Sequence, residues 1–304
     1  MPLSKHVQNW QGRRRRHVKF EFRSSKFEVL EVRFKEIAVS RRIIALVVAC
    51  LAVGAALRAQ LATDFNPPRA NCCLAGTAQS LADQLQDWNQ LGRYYAANED
   101  LKRLPADPKR VVFMGDSITD GWRLAEAFPG KPYVNRGISG QTTAQMLVRM
   151  YPDVIALKPA AVVFLAGTND IARNNGPQTI EMIEQNFMAM TELAQGHGIK
   201  VILCALTPIS DNPAPPPAAA GRAGGPPRRK QSEQRPPADI LALNAWLKAY
   251  AAKINAPYVD YYAATVDANG EFRSGYTNDG LHPNARGYEL MAPVVEAAIA
   301  QTVR

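Results

Sequence analysis

A serine flanked by two aspartates ends an apolar run in VVFMGDSITDGW, residues 111–122, with Ser117 between Asp116 and Asp120. Three readings fit those residue types: Ser117 as a nucleophile, the aspartates as oxygen ligands for a cation, or a turn alone, because Gly-Asp-Ser is ordinary turn chemistry. A nucleophilic serine needs a base, and the choice is narrow. Of the four histidines, His6 and His17 lie in a basic N-terminal segment and His197 sits in a GHG turn, which leaves His282 in NDGLHP. Asp279 stands three residues earlier, a separation that lets a carboxylate on the same turn accept from the imidazole and fix its tautomer.

An acyl-transfer serine also needs donors for the developing oxyanion. RGISGQTT (136–143) offers the backbone N–H of Gly140, and LAGTND (165–170) offers the side-chain amide of Asn169. Singly, each is as readily a turn former. Together with the N–H of Ser117 they make a candidate oxyanion hole, in which each donor is worth about 3 kcal/mol to the transition state.

The rival chemistries lack their own signatures. Asp116, Asp120, Asp170 and Asp279 could gather as ligands in a metal-dependent phosphatase or nuclease, but the D-x-D strand end of aspartate-nucleophile phosphatases is missing, and Ser117 and His282 would have no task. GISGQTT has neither G-x-G-x-x-G nor the lysine of a P-loop, and G-x-S-x-G is absent. Cys72 and Cys73 are adjacent, Cys204 lies inside the apolar run VILCAL, and no C-x-x-C spacing exists, so zinc is disfavoured. No metal and no cofactor is expected.

Such residues must be held by a scaffold, and the chain alternates accordingly. Apolar runs at 110–115, 133–138, 160–167, 200–206 and 257–262 are separated by helical patterns, among them TTAQMLVRM, PQTIEMIEQNFMAMTELAQ and ADILALNAWLKAYAAKI, with NARGYELMAPVVEAAIAQTV last. Continuous apolar strands between helices predict a parallel sheet covered on both faces, a three-layer α/β/α sandwich with ligands at the carboxyl ends of its strands. The candidate residues all fall at such ends or in the turn before the last helix. Helical spacing over about 80–104 predicts a helix leading into the domain, and Pro, Gly, Ala and Arg dominate 211–239, which reads as a mobile or disordered insertion.

The four blocks GDS, GISGQTT, GTND and DGLHP, in this order, resemble the signature blocks of the GDSL-type esterases, or SGNH hydrolases, over about 105–302. Among them, GISGQTT before a helix followed by VVFLAGTND is similar to platelet-activating-factor acetylhydrolase catalytic subunits and to bacterial lysophospholipase-like or carbohydrate acetylesterases. The resemblance implies a flavodoxin-like five-stranded sheet of order 2-1-3-4-5. It implies Ser117 as nucleophile, His282 as base and then acid, Asp279 as its orienter, and the Ser117 N–H, Gly140 N–H and Asn169 side chain as oxyanion donors. The insertion at 211–239 departs from the compact members. The expected substrate is a small-molecule or polysaccharide ester, with short acyl groups such as O-acetyl on carbohydrate favoured over a lysophospholipid or aryl ester. A catalytically silent carbohydrate-binding or surface protein is the reading of another class.

The formal charge of +9 suggests nucleic acid until it is located. Residues 1–42 hold 12 Lys and Arg against 4 Asp and Glu, whereas residues 60–304 carry 23 of each sign, so no basic binding face is expected. Arg41 and Arg42 precede IIALVVACLAVGAAL (43–57) and a small residue at Ala59. That order predicts a secretory signal over 43–59 and a periplasmic or secreted product, the alternative being an uncleaved membrane anchor. Residues 1–38 ahead of it suggest a misassigned start, with Val39 as initiator. The expected organisation is therefore a basic tail at 1–42, the signal at 43–59, a leader at 60–104 and an esterase domain at 105–304.

Overall fold

The computed structural model describes residues 85–105, 107–213 and 230–303, with Ala78, Leu81 and Ala82 as isolated positions. The chain divides into two units, Met1–Arg69 and Ala70–Arg304, and the described residues belong to the second. The expected tail and signal, Cys72 and Cys73, and residues 214–229 of the insertion lie outside the described residues. Among the described residues, no helix is long and apolar enough to cross a membrane.

Five parallel strands form one sheet in the order β2-β1-β3-β4-β5. They are β1 (Val111–Gly115), β2 (Tyr133–Gly137), β3 (Ala161–Leu165), β4 (Lys200–Cys204) and β5 (Tyr258–Val259). Alternation along β1 explains why its sequence is continuously apolar. Val112 and Met114 enter one core with Val162, Phe164, Phe187, Leu243 and Leu247, while Val111 and Phe113 enter the other with Val163, Trp122, Met291, Val295 and Ile299. Helices cover both faces, so neither set of side chains meets water.

The helices, numbered in chain order, are α1 (Tyr95–Arg103), α2 (Ser117–Asp120), α3 (Leu124–Ala127), α4 (Thr143–Val148), α5 (Met150–Asp153), α6 (Thr168–Ile171), α7 (Ile180–Gly196), α8 (Gln231–Gln234), α9 (Pro237–Lys253), α10 (Tyr261–Thr265) and α11 (Ala285–Thr302). Because β1 lies between β2 and β3, the chain leaves β1 for one side of the sheet and returns to the other. That switch opens a crevice at the carboxyl ends of the strands.

Three expectations differ in extent. The leader is not one helix: the Asp87 carboxylate accepts from Leu91 N and Gly92 N at 2.8 Å each, Gln90 takes φ 56°, and the helix starts only at Tyr95. The fifth strand stops at Val259 because the Asp260 carboxylate accepts from Ala263 N and caps α10. The last part of the expected insertion is regular: α8 starts at Gln231 and precedes the buried Arg235, and α9 opens at Pro237, where a missing N–H costs nothing.

Candidate active site

Ser117 follows β1 by two residues and opens α2. Asp116 caps that helix, its Oδ1 accepting from Ile118 N at 2.9 Å. The approach requires Gly115, because a Cβ there would stand 2.1 Å from Thr119 Oγ1 and 2.6 Å from Leu165 O. Ser117 Oγ lies 2.8 Å from His282 Nε2, and His282 Nδ1 lies 2.6 Å from Asp279 Oδ2. In the neutral imidazole, Nδ1–H donates to Asp279 and Nε2 accepts from the serine hydroxyl. Residues 165 positions apart thus form one hydrogen-bonded series.

Asp279 is itself held as an anion. Burial opposes its charge, but the His282 side chain and the N–H groups of His282 and Leu281, at 2.8 and 3.0 Å, keep its carboxyl well below the usual carboxylate range.

On the other side of Ser117 lies the segment between β2 and α4. Gly140 has φ 83°, in the left-handed region, and among the described residues neither its N–H nor that of Ser117 has a backbone acceptor. Asp120 accepts from Ser139 N at 3.2 Å and Ser139 Oγ at 2.7 Å, which fixes this segment. Asn169 sits in α6 at the end of β3 and is buried. Its Nδ2 donates to Gln141 O at 3.1 Å, while its Oδ1 accepts from Asn174 Nδ2 at 3.0 Å and faces Arg235 Nη2 at 3.4 Å. With Oδ1 occupied by donors, the amide cannot flip, and one Nδ2 hydrogen stays free for a ligand.

The four aspartates considered as ligands are separately engaged: Asp116 with Ile118, Asp120 with Ser139, Asp170 with Thr143 N and Oγ1, and Asp279 with His282. Among the described residues, no three His, Cys, Asp or Glu side chains group as a metal cage. His197 is exposed near the end of α7, its Nδ1 2.9 Å from Leu193 O. Cys204 is buried, and burial pushes its thiol up.

Two arginines were not anticipated. Arg149 is fully buried and reaches Gly115 O at 3.1 Å, Gln141 Oε1 at 2.6 Å and Asp153 Oδ2 at 3.0 Å, tying the end of β1 to the candidate oxyanion segment between β2 and α4. Arg235 donates to Thr168 Oγ1 at 3.1 Å, beside Asn169, while Gln231 donates to Asp279 O at 3.2 Å. An arginine in sequence defaults to a solvated surface, and only the pairing of RM with YPD at helical spacing hinted at Arg149 and Asp153.

A serine, an imidazole and a carboxylate in series, beside N–H donors at the switch crevice of a parallel sheet, are the arrangement that serine hydrolases use. The chain belongs to the GDSL-like lipase/acylhydrolase family, whose sequence model matches residues 113–290. A candidate acylhydrolase of Bacteroides fragilis, known from its crystal structure, is 42% identical, with TM-score 0.62 over 72% of this chain and 99% of that one. A GDSL-like lipase of Bacteroides thetaiotaomicron is 37% identical, with TM-score 0.59 over 70% of this chain and 98% of that one. An acetylxylan esterase of Xylanibacter ruminicola is 28% identical over 239 residues, 66% of this chain and 45% of that protein. The chain spans about half the length of the curated relatives it matches.

Proposed function

We propose that this chain is an exported serine esterase that removes short acyl groups, O-acetyl on carbohydrate foremost, through an acyl-enzyme. Ser117 attacks the ester carbonyl as His282 Nε2 takes its proton. Asp279 orients the imidazole and stabilises the imidazolium that forms. The N–H groups of Ser117 and Gly140 and the free Nδ2 hydrogen of Asn169 receive the oxyanion. His282 then returns the proton to the leaving alcohol, and water, activated by the same imidazole, releases the acid and restores Ser117.

The observation that carries this reading is the unbroken series from Ser117 Oγ through His282 to Asp279. The preference for short acyl groups rests on the cavity above Ser117. It holds about 440 Å³ and is lined by Ser117, Asp120, Gly121, Ser139, His282, Pro283 and Tyr288, a set without an aliphatic wall for a long chain. Export rests on the basic and apolar order at 41–59.

The test is hydrolysis of p-nitrophenyl esters from acetate to palmitate. Acetate is expected to be the best substrate, and Ser117→Ala is expected to remove at least about three orders of magnitude of kcat. Equal activity in Ser117→Ala overturns the nucleophile assignment, and a preference for ten carbons or more overturns the acyl preference in favour of a lysophospholipase. N-terminal sequencing of the mature protein tests export, with a start near residue 60 expected.

A further inference from the structure

We propose that a second cavity, beside the oxyanion segment, is a subsite for an uncharged sugar residue in the saccharide that carries the ester; this rests on the esterase reading above. The cavity holds about 270 Å³ and includes Trp88, Gln90, Ser139, Gly140, Asn174 and Asn175 in its lining. Ser139 lines both this cavity and the one above Ser117, so the two adjoin and a ligand long enough to span them reaches Ser117.

The lining selects a chemical class. Among the described residues, no acidic or basic side chain borders the cavity, which removes the cation that a phosphate headgroup needs. No Leu, Ile, Val or Phe borders it either, which removes the wall that an acyl chain needs. An indole with side-chain amides around it remains. The indole offers a large amphipathic face to the C–H face of a pyranose ring, and carboxamides offer both donors and acceptors to its hydroxyls. Among the described residues, no hydrogen bond is made by the Gln90 side chain or by Oδ1 of Asn174 or Asn175, and these groups are free to meet a ligand.

The cavity wall is also built in advance of any ligand. Asp87 pins the turn through Leu91 N and Gly92 N. The buried Gln145 of α4 donates to Trp88 O at 2.6 Å and the buried Gln141 donates to Asn89 O at 2.9 Å, so the backbone beneath Trp88 is held by α4 and by the segment that precedes it. Trp88 is 47% exposed, which leaves its ring surface open for a partner. It also precedes the residues matched by the family model, whereas Ser139, Gly140, Asn174 and Asn175 lie within them, so leader and domain build the cavity together.

The experiment compares acetylated xylotetraose with p-nitrophenyl acetate in the wild type, Trp88→Ala and Trp88→Phe. Trp88→Ala is expected to lower the ratio of kcat/KM for the saccharide to that for p-nitrophenyl acetate about tenfold through KM, with Trp88→Phe retaining part of it. Calorimetry of deacetylated xylotetraose with Ser117→Ala, with and without Trp88→Ala, is expected to show binding that the second substitution weakens. An unchanged ratio overturns the subsite while leaving the esterase reading intact. If the wild type cleaves p-nitrophenyl acetate but no acetylated saccharide, the carbohydrate reading falls and takes the subsite with it.

Discussion

The orientation of one amide decides whether the candidate oxyanion hole has three donors or two. Asn169 presents Nδ2 because Asn174 and Arg235 face its Oδ1, and Arg235 comes from the far side of the insertion. Asn169→Ala is expected to lower kcat for p-nitrophenyl acetate about 10²- to 10³-fold with little change in KM, the signature of a contact made only in the transition state. Arg235→Met is expected to lower kcat by a smaller factor, about tenfold, because it frees the amide without removing it. An equal rise in KM in either variant would place the residue in substrate binding instead. Asp116 gives a pH-dependent prediction. Burial pushes its carboxyl from 3.8 up to about 6, against the pull of the Ile118 N–H, and its Oδ2 has no partner among the described residues. A carboxyl with a raised pKa in the folded chain binds its proton more tightly there, so the stability it contributes is full below 3.8 and is lost as pH rises to about 6. The loss is on the order of 3 kcal/mol. Melting curves of Asp116→Asn, which cannot ionise, are expected to gain on the wild type as pH rises from 4 to 6 and to hold that gain above it. A constant difference across that range would show that the carboxyl does not titrate there.

Elements placed by local pattern were legible, and those placed by distant charge were not. Five parallel strands follow from apolar runs between helices, whereas their order was legible only through the resemblance carried by the four blocks; GDS, GISGQTT and GTND sit at strand ends and DGLHP in the turn before the last helix. The break at residues 87–94 was hidden because apolar spacing continues through it, while a single carboxylate, Asp87, turns the backbone. Arg149 was hidden for a related reason. Nothing in a linear reading says that a guanidinium will be buried, yet it joins β1, the candidate oxyanion segment and α5, and Asp153 in turn accepts from Asn98 of α1 at 2.6 Å. The leader is thereby tied to the sheet through a polar network. Removing one member of a buried ion pair leaves the other charge without compensation, at a cost of about 3–5 kcal/mol. Arg149→Leu is expected to lose that much stability in chemical denaturation, and Arg149→Leu with Asp153→Leu to recover part of it. A loss under about 1 kcal/mol in the single variant would mean that the network holds geometry without holding the fold.

At the scale of the whole molecule, the question is how a chain can carry a long Pro- and Gly-rich insertion on the same rim as its candidate nucleophile, Ser117. The described ends of the insertion supply the answer. Asp211 accepts from Ser232 N at 2.9 Å and Ser232 Oγ at 2.6 Å, so the chain leaves and returns at one place. Ser210 N donates to Gly280 O at 2.8 Å, next to Asp279, and Gln231 grips Asp279 O from the returning side. The His282 loop is thus braced by residues on both flanks of the insertion, and none of these contacts requires residues 214–229. Closing a shorter loop between ends already in contact carries little entropic penalty, because closure cost changes only slowly with length. Replacing 214–229 by a linker of about four Gly and Ser residues is therefore expected to leave kcat/KM for p-nitrophenyl acetate within about twofold of wild type and to raise the melting temperature slightly. Arg235→Met in the same shortened chain is expected to cost the same factor as in the full chain, since the clamp on Asn169 is anchored by α8 and α9. A tenfold loss from the shortening alone would assign the insertion a part in the site. The same shortened enzyme assayed on acetylated polysaccharide then separates the two roles of the rim: a loss confined to the polymer would mean that the insertion contacts the chain beyond the sugar residues held near Trp88.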